Sequence, residues 1–113
     1  MPYEQGDIVL VTFPLTDLTS TEIRPAIVVS NSDINQTDDV ILAAITTNLR
    51  DDEFSFRIDN NALSNPMHRP SEVRCHKLFT CDQNIIQRTI SVMNDEEELS
   101  NLTRIIKRSF SVV

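Results

Sequence analysis

Glu22–Asn31 reads EIRPAIVVSN, and the fold turns on how this stretch is read. A charged pair, Glu22 and Arg24, stands directly before Pro25. Ala26, Ile27, Val28, Val29 and Ser30 then follow without a charge. Proline lacks a backbone N–H, so Pro25 is expected at the first position of a strand and not in its middle. The run after it is β-branched and too short for a globular helix, which predicts a buried strand over Pro25–Ser30. Arg24 would then stand at the mouth of that strand, facing a loop, where rigid scaffolds hold reactive side chains. The plainer alternative is a solvated surface pair of Arg24 with Glu22.

Working outward, Gly6–Pro14 (GDIVLVTFP) reads as a turn, a strand buried on both faces and a stop at proline. Leu15–Ile23 is polar, rich in Thr and Ser and aperiodic, so it reads as a loop delivering the chain to Arg24. Asn31–Asp39 reads as a second polar loop. Val40–Ile45 (VILAAI) is another strand, ending at Thr46, Thr47 and Asn48. Phe54, Phe56 and Ile58 alternate with Ser55, Arg57 and Asp59, the period of a half-buried strand. Asn60–Pro70 reads as an irregular loop and Ser71–Leu78 as a strand. An unbroken strand there would put Glu72, Arg74 and His76 on one face and Val73, Cys75 and Lys77 on the other. A helical turn is expected over Asp82–Gln87 and a last strand over Thr89–Met93. The C-terminal helix is the clearest element. Asn94 or Asp95 caps it, Glu96, Glu97 and Glu98 suit its positive end, and Leu99, Leu102, Ile105 and Ile106 form one apolar stripe. Short strands and one terminal helix predict a mainly β fold, a small, strongly curved sheet or barrel.

The 113 residues fit one domain, residues 1–113, with a single modest core. No apolar run is long enough to cross a bilayer, and MPYEQGD lacks the basic and apolar regions of a signal peptide, so a cytoplasmic protein with no membrane partner is expected. Cys75 and Cys81 are then free thiols. The net charge of −7 argues against general attraction to nucleic acid. Its distribution is uneven: ten acidic and two basic side chains up to Glu53, seven acidic and eight basic after it. Arg57, Arg69, Arg74, Lys77 and Arg88 could therefore form a basic surface on an acidic body, or be dispersed over it.

No metal site is indicated. His68, Cys75, His76 and Cys81 match no recognised ligand spacing, and with one glycine there is no phosphate-cradling loop. A Cys–His nucleophile pair lacks an identifiable orienting group. What remains is a set of polar side chains at strand ends: Glu22 and Arg24, Thr46 and Thr47, Arg74 and His76. The planar fork of arginine suits phosphate. RNA cleavage without a metal needs a base for the 2′-hydroxyl, an acid for the leaving 5′-oxygen and cations for the charge on phosphorus. His, Glu, Arg and Thr can cover these roles, but many non-enzymes carry the same residues.

The order GDIVLVTFP, RPAIVVSN, VILAAITTN, RCHKLFTCD, RTISVM and a terminal helix resembles the MazF/PemK family of toxin endoribonucleases, over Gly6–Phe110. The resemblance implies a small SH3-like barrel of the CcdB/PemK type with a C-terminal helix, forming a homodimer. It implies cleavage of single-stranded RNA, in practice mRNA, at short sequences, without metal or other cofactor. The reaction would run through a 2′,3′-cyclic phosphate, and a cognate antitoxin would inhibit it. Arg24 falls on the family's catalytic arginine, Thr46 on its phosphate-contacting threonine and Arg74 on a second arginine acting as acid or charge stabiliser. His76 falls where several members carry an aspartate base. Glu22 is a further catalytic candidate, standing in for the Glu-Gln that many members place before the arginine in a longer, glycine-containing loop. Thr47, Asn48, Arg57, Arg69 and Lys77 are the expected RNA contacts. Two rival readings share the barrel: a binding toxin directed at a protein such as gyrase through the C-terminal helix, and a catalytically inactive antitoxin-binding relative.

Overall fold

The computed structural model describes residues 2–14 and 21–112, so the part of the expected first loop from 15 to 20 lies outside it. Six strands form one antiparallel sheet: β1 (Asp7–Pro14), β2 (Thr21–Val28), β3 (Asp39–Thr46), β4 (Ser55–Arg57), β5 (Glu72–Asp82) and β6 (Ile86–Val92), in the order β4-β5-β3-β2-β1-β6. Among the described residues are also two helices, α1 (Ser32–Asn35) and α2 (Glu96–Arg108), with 3₁₀ turns at Asn60–Ala62 and Gln83–Ile85.

The fold is mainly β with a C-terminal helix, as expected. The ladder does not close into a barrel, because β4 and β6 are its two edges. A segment of the loop after β4 nearly closes it. Leu63 bridges Met93, and the Ser64 N–H donates to the Val92 carbonyl at 2.9 Å. Asn65 and Ser91 add reciprocal hydrogen bonds, which cover an edge that would otherwise invite foreign pairing.

Burial on both faces follows from side-chain alternation. Ile8, Ile27, Ala43, Ile45, Val73 and Cys75 join Phe56, Leu102 and Ile106 in a core beneath α2. Val9, Val11, Ala26, Val28, Val40 and Leu42 form a second cluster with Ile86, packed by Phe13, Phe79 and Cys81. Successive residues of one strand point to opposite faces, so each apolar run feeds both cores. Helix α2 starts where the sequence places it: Asp95 accepts from the N–H groups of Glu97 and Glu98.

Two local readings are corrected. Pro25 lies in the middle of β2, opposite Leu10 of β1. The pairing of β2 with β3 begins only at Ala26, so Thr21–Pro25 is an edge on that side and a missing N–H is tolerated there. The loop expected over Asn31–Asp39 contains the single turn α1. Asn31 caps it, and buried Asn35 donates to the Ser30 carbonyl at 2.9 Å. The remaining strands hold with shifted ends: β4 is cut to three residues, β5 runs on to Asp82 and β6 starts at Ile86.

Candidate functional site

The site is set by where β2 and β3 part. Ala26 pairs with Ala44, and the same antiparallel register carried two residues further sets Arg24 across from Thr46. Arg24 shares the face of Ala26 and Val28, and Thr46 that of Ala44 and Leu42, so both stand on the face opposite α2. Both line a groove of about 790 Å³. Pro25, Ala44, Leu78 and the edge-to-face pair Phe13–Phe79, with ring centroids 4.5 Å apart, supply its apolar wall. Asn48, Arg50, Arg74 and Lys77 supply polar and cationic groups.

Arg24 is 59% exposed, and its Nε donates to Glu22 Oε1, so the pairing with Glu22 and the position at the groove are both present. The sequence alone had set these as alternatives. An ion pair this exposed contributes little to stability and leaves the guanidinium's other N–H groups for a ligand.

The other arginine is held differently. The Arg74 side chain is 9% exposed. Its Nη1 and Nη2 donate to Asp52 Oδ1 and Oδ2, each at 3.0 Å, and Nη1 also reaches Glu72 Oε2 at 2.7 Å and Ser55 Oγ at 2.9 Å. Glu72, 1% exposed, accepts at its other oxygen from the N–H groups of Arg50 at 3.1 Å and Asp51 at 3.2 Å. The Arg74 guanidinium, helped by the Phe54 N–H and Ser55, holds the Asp52 carboxyl well below the usual range against the opposing effect of desolvation. Burial pushes Glu72 up, but hydrogen bonds from Ser55, Arg74, Asp51 and Arg50 outweigh it and bring it below its ordinary value. Arg74 is raised in turn, chiefly by Asp52.

The expected faces of β5 change at a bulge. Ala43 pairs with Leu78 and Ile45 with Val73, so two steps on β3 match five on β5. The extra residues invert the alternation. Val73 and Cys75 stay in the core beneath α2, whereas Phe79 packs in the opposite cluster and Lys77 lines the groove beside Arg74. Lys77 thus leaves the face expected for it. His76 is exposed and stacks on Phe54, ring centroids 4.5 Å apart, and it is not among the residues lining the groove.

Of the expected RNA contacts, Asn48 and Lys77 line the groove, while exposed Thr47, Arg57 and Arg69 do not. The expected basic surface is therefore assembled from other members. Arg74 and Lys77 are joined by Arg24 and by Arg50, which is not among the members expected from sequence; exposed Arg88 stands apart. The signal available for Arg50 was its place four residues after Thr46, in the segment leaving β3.

Burial pushes the Cys75 thiol up to about 11 and raises Cys81 as well, so neither is a ready thiolate at neutral pH. Among the described residues no cluster of three or more His, Cys, Asp or Glu side chains is arranged for a metal ion. Among them, too, no helix is long and apolar enough to cross a membrane.

A strongly curved antiparallel sheet, backed by one helix and grooved on its other face, is the fold of MazF toxins. At 16% identity the chain matches an endoribonuclease solved in complex with its cognate antitoxin from a mycobacterial species, with a TM-score of 0.77 over 98% of this chain and 97% of that one. It matches the Mycobacterium tuberculosis toxin MazF-mt6 at 19% identity and TM-score 0.73, over 95% and 98% of the two chains. MazE–MazF from Deinococcus radiodurans gives 14% identity and TM-score 0.77 over the whole of both chains. No curated protein matches the sequence. The family described as PemK-like, MazF-like toxin of type II toxin-antitoxin system matches residues 4–110, and the chain belongs to that family.

Proposed function

We propose that this toxin is an endoribonuclease whose groove binds single-stranded RNA, mRNA in the cell, and cuts it at short sequences. The observation that carries the reading is the placement of exposed Arg24 and of Thr46 on one apolar-walled groove. In this reading Arg24 and Thr46 grip the scissile phosphate. The free N–H groups of Arg24 point a fork of donors at the non-bridging oxygens, where charge grows as the 2′-oxygen attacks. Glu22, whose carboxylate touches Arg24, takes the 2′-hydroxyl proton. Arg74, at the groove but compensated by two carboxylates, holds that wall in place and is assigned no step. The 2′-oxygen–phosphorus bond forms as the phosphorus–5′-oxygen bond breaks, and the leaving 5′-oxygen takes a proton from water in the open groove, giving a 2′,3′-cyclic phosphate and a 5′-hydroxyl. His76, stacked on Phe54, is assigned no step, and Asn48 and Lys77 hold flanking nucleotides. The whole chain works as one unit in the cytoplasm as a homodimer, without metal, until a cognate antitoxin covers the groove.

The test is digestion of varied single-stranded RNAs in EDTA, with end-group analysis. Cleavage with cyclic-phosphate ends is expected, and Arg24→Ala should lose it. Intact RNA across sequences and salts would refute the reading. A second reading, an inactive antitoxin-binding relative, draws on the compensated charge of Arg74. Intact RNA, together with tight capture of the antitoxin and no growth arrest, selects it.

A further inference from the structure

We propose that Glu72 is a positioning residue for the groove, and that it acts by presenting Arg50 to a backbone phosphate. The inference rests on the groove being an RNA-binding surface, but the role of Glu72 does not depend on catalysis. A glutamate 1% exposed, on the first residue of a strand, requires a local reason. Its two oxygens divide the work. Oε2 takes Arg74 and Ser55, both at 2.7 Å, and so joins the groove's buried arginine to β4. Oε1 takes the N–H groups of Arg50 and Asp51, in the segment that follows β3. That segment turns sharply: Asp51 has φ 51°, the left-handed region that non-glycine residues rarely enter. The turn is thus held from within by a carboxylate. Arg50 itself is exposed at the groove. Its backbone is tied to Glu72 while its charge stays free of that carboxylate, which accepts from its N–H and not from its guanidinium.

Glu72 also sets which cation meets RNA. Around Arg74 stand two carboxylates, Asp52 and Glu72, against one guanidinium. That cluster does not attract phosphate, whereas Arg50, Arg24 and Lys77 are exposed cations on the same groove. The cluster's function is then to be rigid, and the grip passes to the arginine whose backbone it fixes.

The test uses the full-length protein and an uncleavable 2′-O-methyl oligonucleotide of a sequence the protein cuts, or of mixed sequence if it cuts none. Fluorescence anisotropy across a salt series reads the affinity. Glu72→Gln is expected to weaken binding about tenfold, and Arg50→Ala by a similar factor with a flatter salt dependence. The double variant should be no weaker than Arg50→Ala alone, because one residue acts through the other. Multiplied effects, or an unchanged affinity in Glu72→Gln, overturn the proposal. If Glu72→Gln fails to fold, amide hydrogen exchange on the unaltered protein decides. The Arg50 and Asp51 amides should be strongly protected although both residues are exposed, and free-loop exchange overturns the idea. A wild type that binds the oligonucleotide but leaves the matching RNA intact refutes the proposed cleavage and spares Glu72. One that cuts RNA, with Glu72→Gln binding normally, does the reverse. One that neither binds nor cuts removes both.

Discussion

Arg24 and Arg74 line one groove from strands β2 and β5, and they differ in almost every other respect. Arg24 is 59% exposed beside one half-exposed carboxylate, and Arg74 is 9% exposed between two. The free arginine can give its hydrogen bonds to a ligand at little cost to the fold. The enclosed one has already given most of its hydrogen bonds to the protein. The same side chain is thus an open, solvent-facing group on one wall and a structural clamp on the other. Partners decide which, because a guanidinium has only five N–H donors to divide between protein and ligand.

Exchanging each arginine in turn tests the comparison most severely. Arg24→Ala should reduce cleavage by about 10²–10³-fold, the range for removing one preorganised donor to transition-state charge, while thermal unfolding barely moves. Arg74→Ala should do the opposite in emphasis. It leaves buried Glu72 without its partner, a change of the kind that costs about 3–5 kcal/mol, visible in urea unfolding. If Arg24→Ala destabilises as much as Arg74→Ala, the two walls are not different in kind.

Acid should single out the Arg74 wall. The folded values of Asp52 and Glu72 lie below their ordinary 3.8 and 4.5. A depressed carboxyl stabilises the fold fully above its unfolded value and loses that contribution as pH falls through the folded one. Stability should therefore decline below about pH 4.5, and the decline should be shallower in the double variant Asp52→Asn, Glu72→Gln. Equal slopes by denaturant titration would show that the network does not carry the pH dependence.

The smallest effect lies far from the groove, on α2. Burial raises Glu98, aided by Asp95, Asp59 and Glu97. A raised carboxyl costs stability once ionised, so Glu98→Gln should stabilise the protein at pH 7 by a few tenths of a kcal/mol, about the size of other exposed helix charge effects. The gain should vanish as pH falls below the ordinary 4.5, and cleavage should not change. A gain from Glu98→Gln that grows as pH falls would show that ionised Glu98 is not the source of the cost.

Much of the fold was open to reading because the signals are local. The apolar runs in β1, β2 and β3 alternate between two cores. The cap at Asp95 and the stripe of Leu102 and Ile106 specify α2 without help from distant residues. Arg24 and Thr46, both on the groove, were legible as polar residues flanking apolar runs, although Arg24 lies inside β2 and not at its end. Pro25 misled because tolerance of a proline depends on where the neighbouring ladder begins, which no single strand encodes. Lys77, His76 and Arg50 misled or escaped notice because of the β5 bulge and the left-handed turn at Asp51.

From sequence alone come the strands, the helix, the family and two of the residues that line the groove, since periodicity, capping and motif order are properties of consecutive residues. Tertiary structure alone decided which cations share the groove with them, and that Glu72 ties Arg74 to the turn bearing Arg50. The physical reason is that a carboxylate accepts hydrogen bonds from whatever lies within about 3 Å of it. Residues 22 positions apart in sequence come that close only after the sheet has curved.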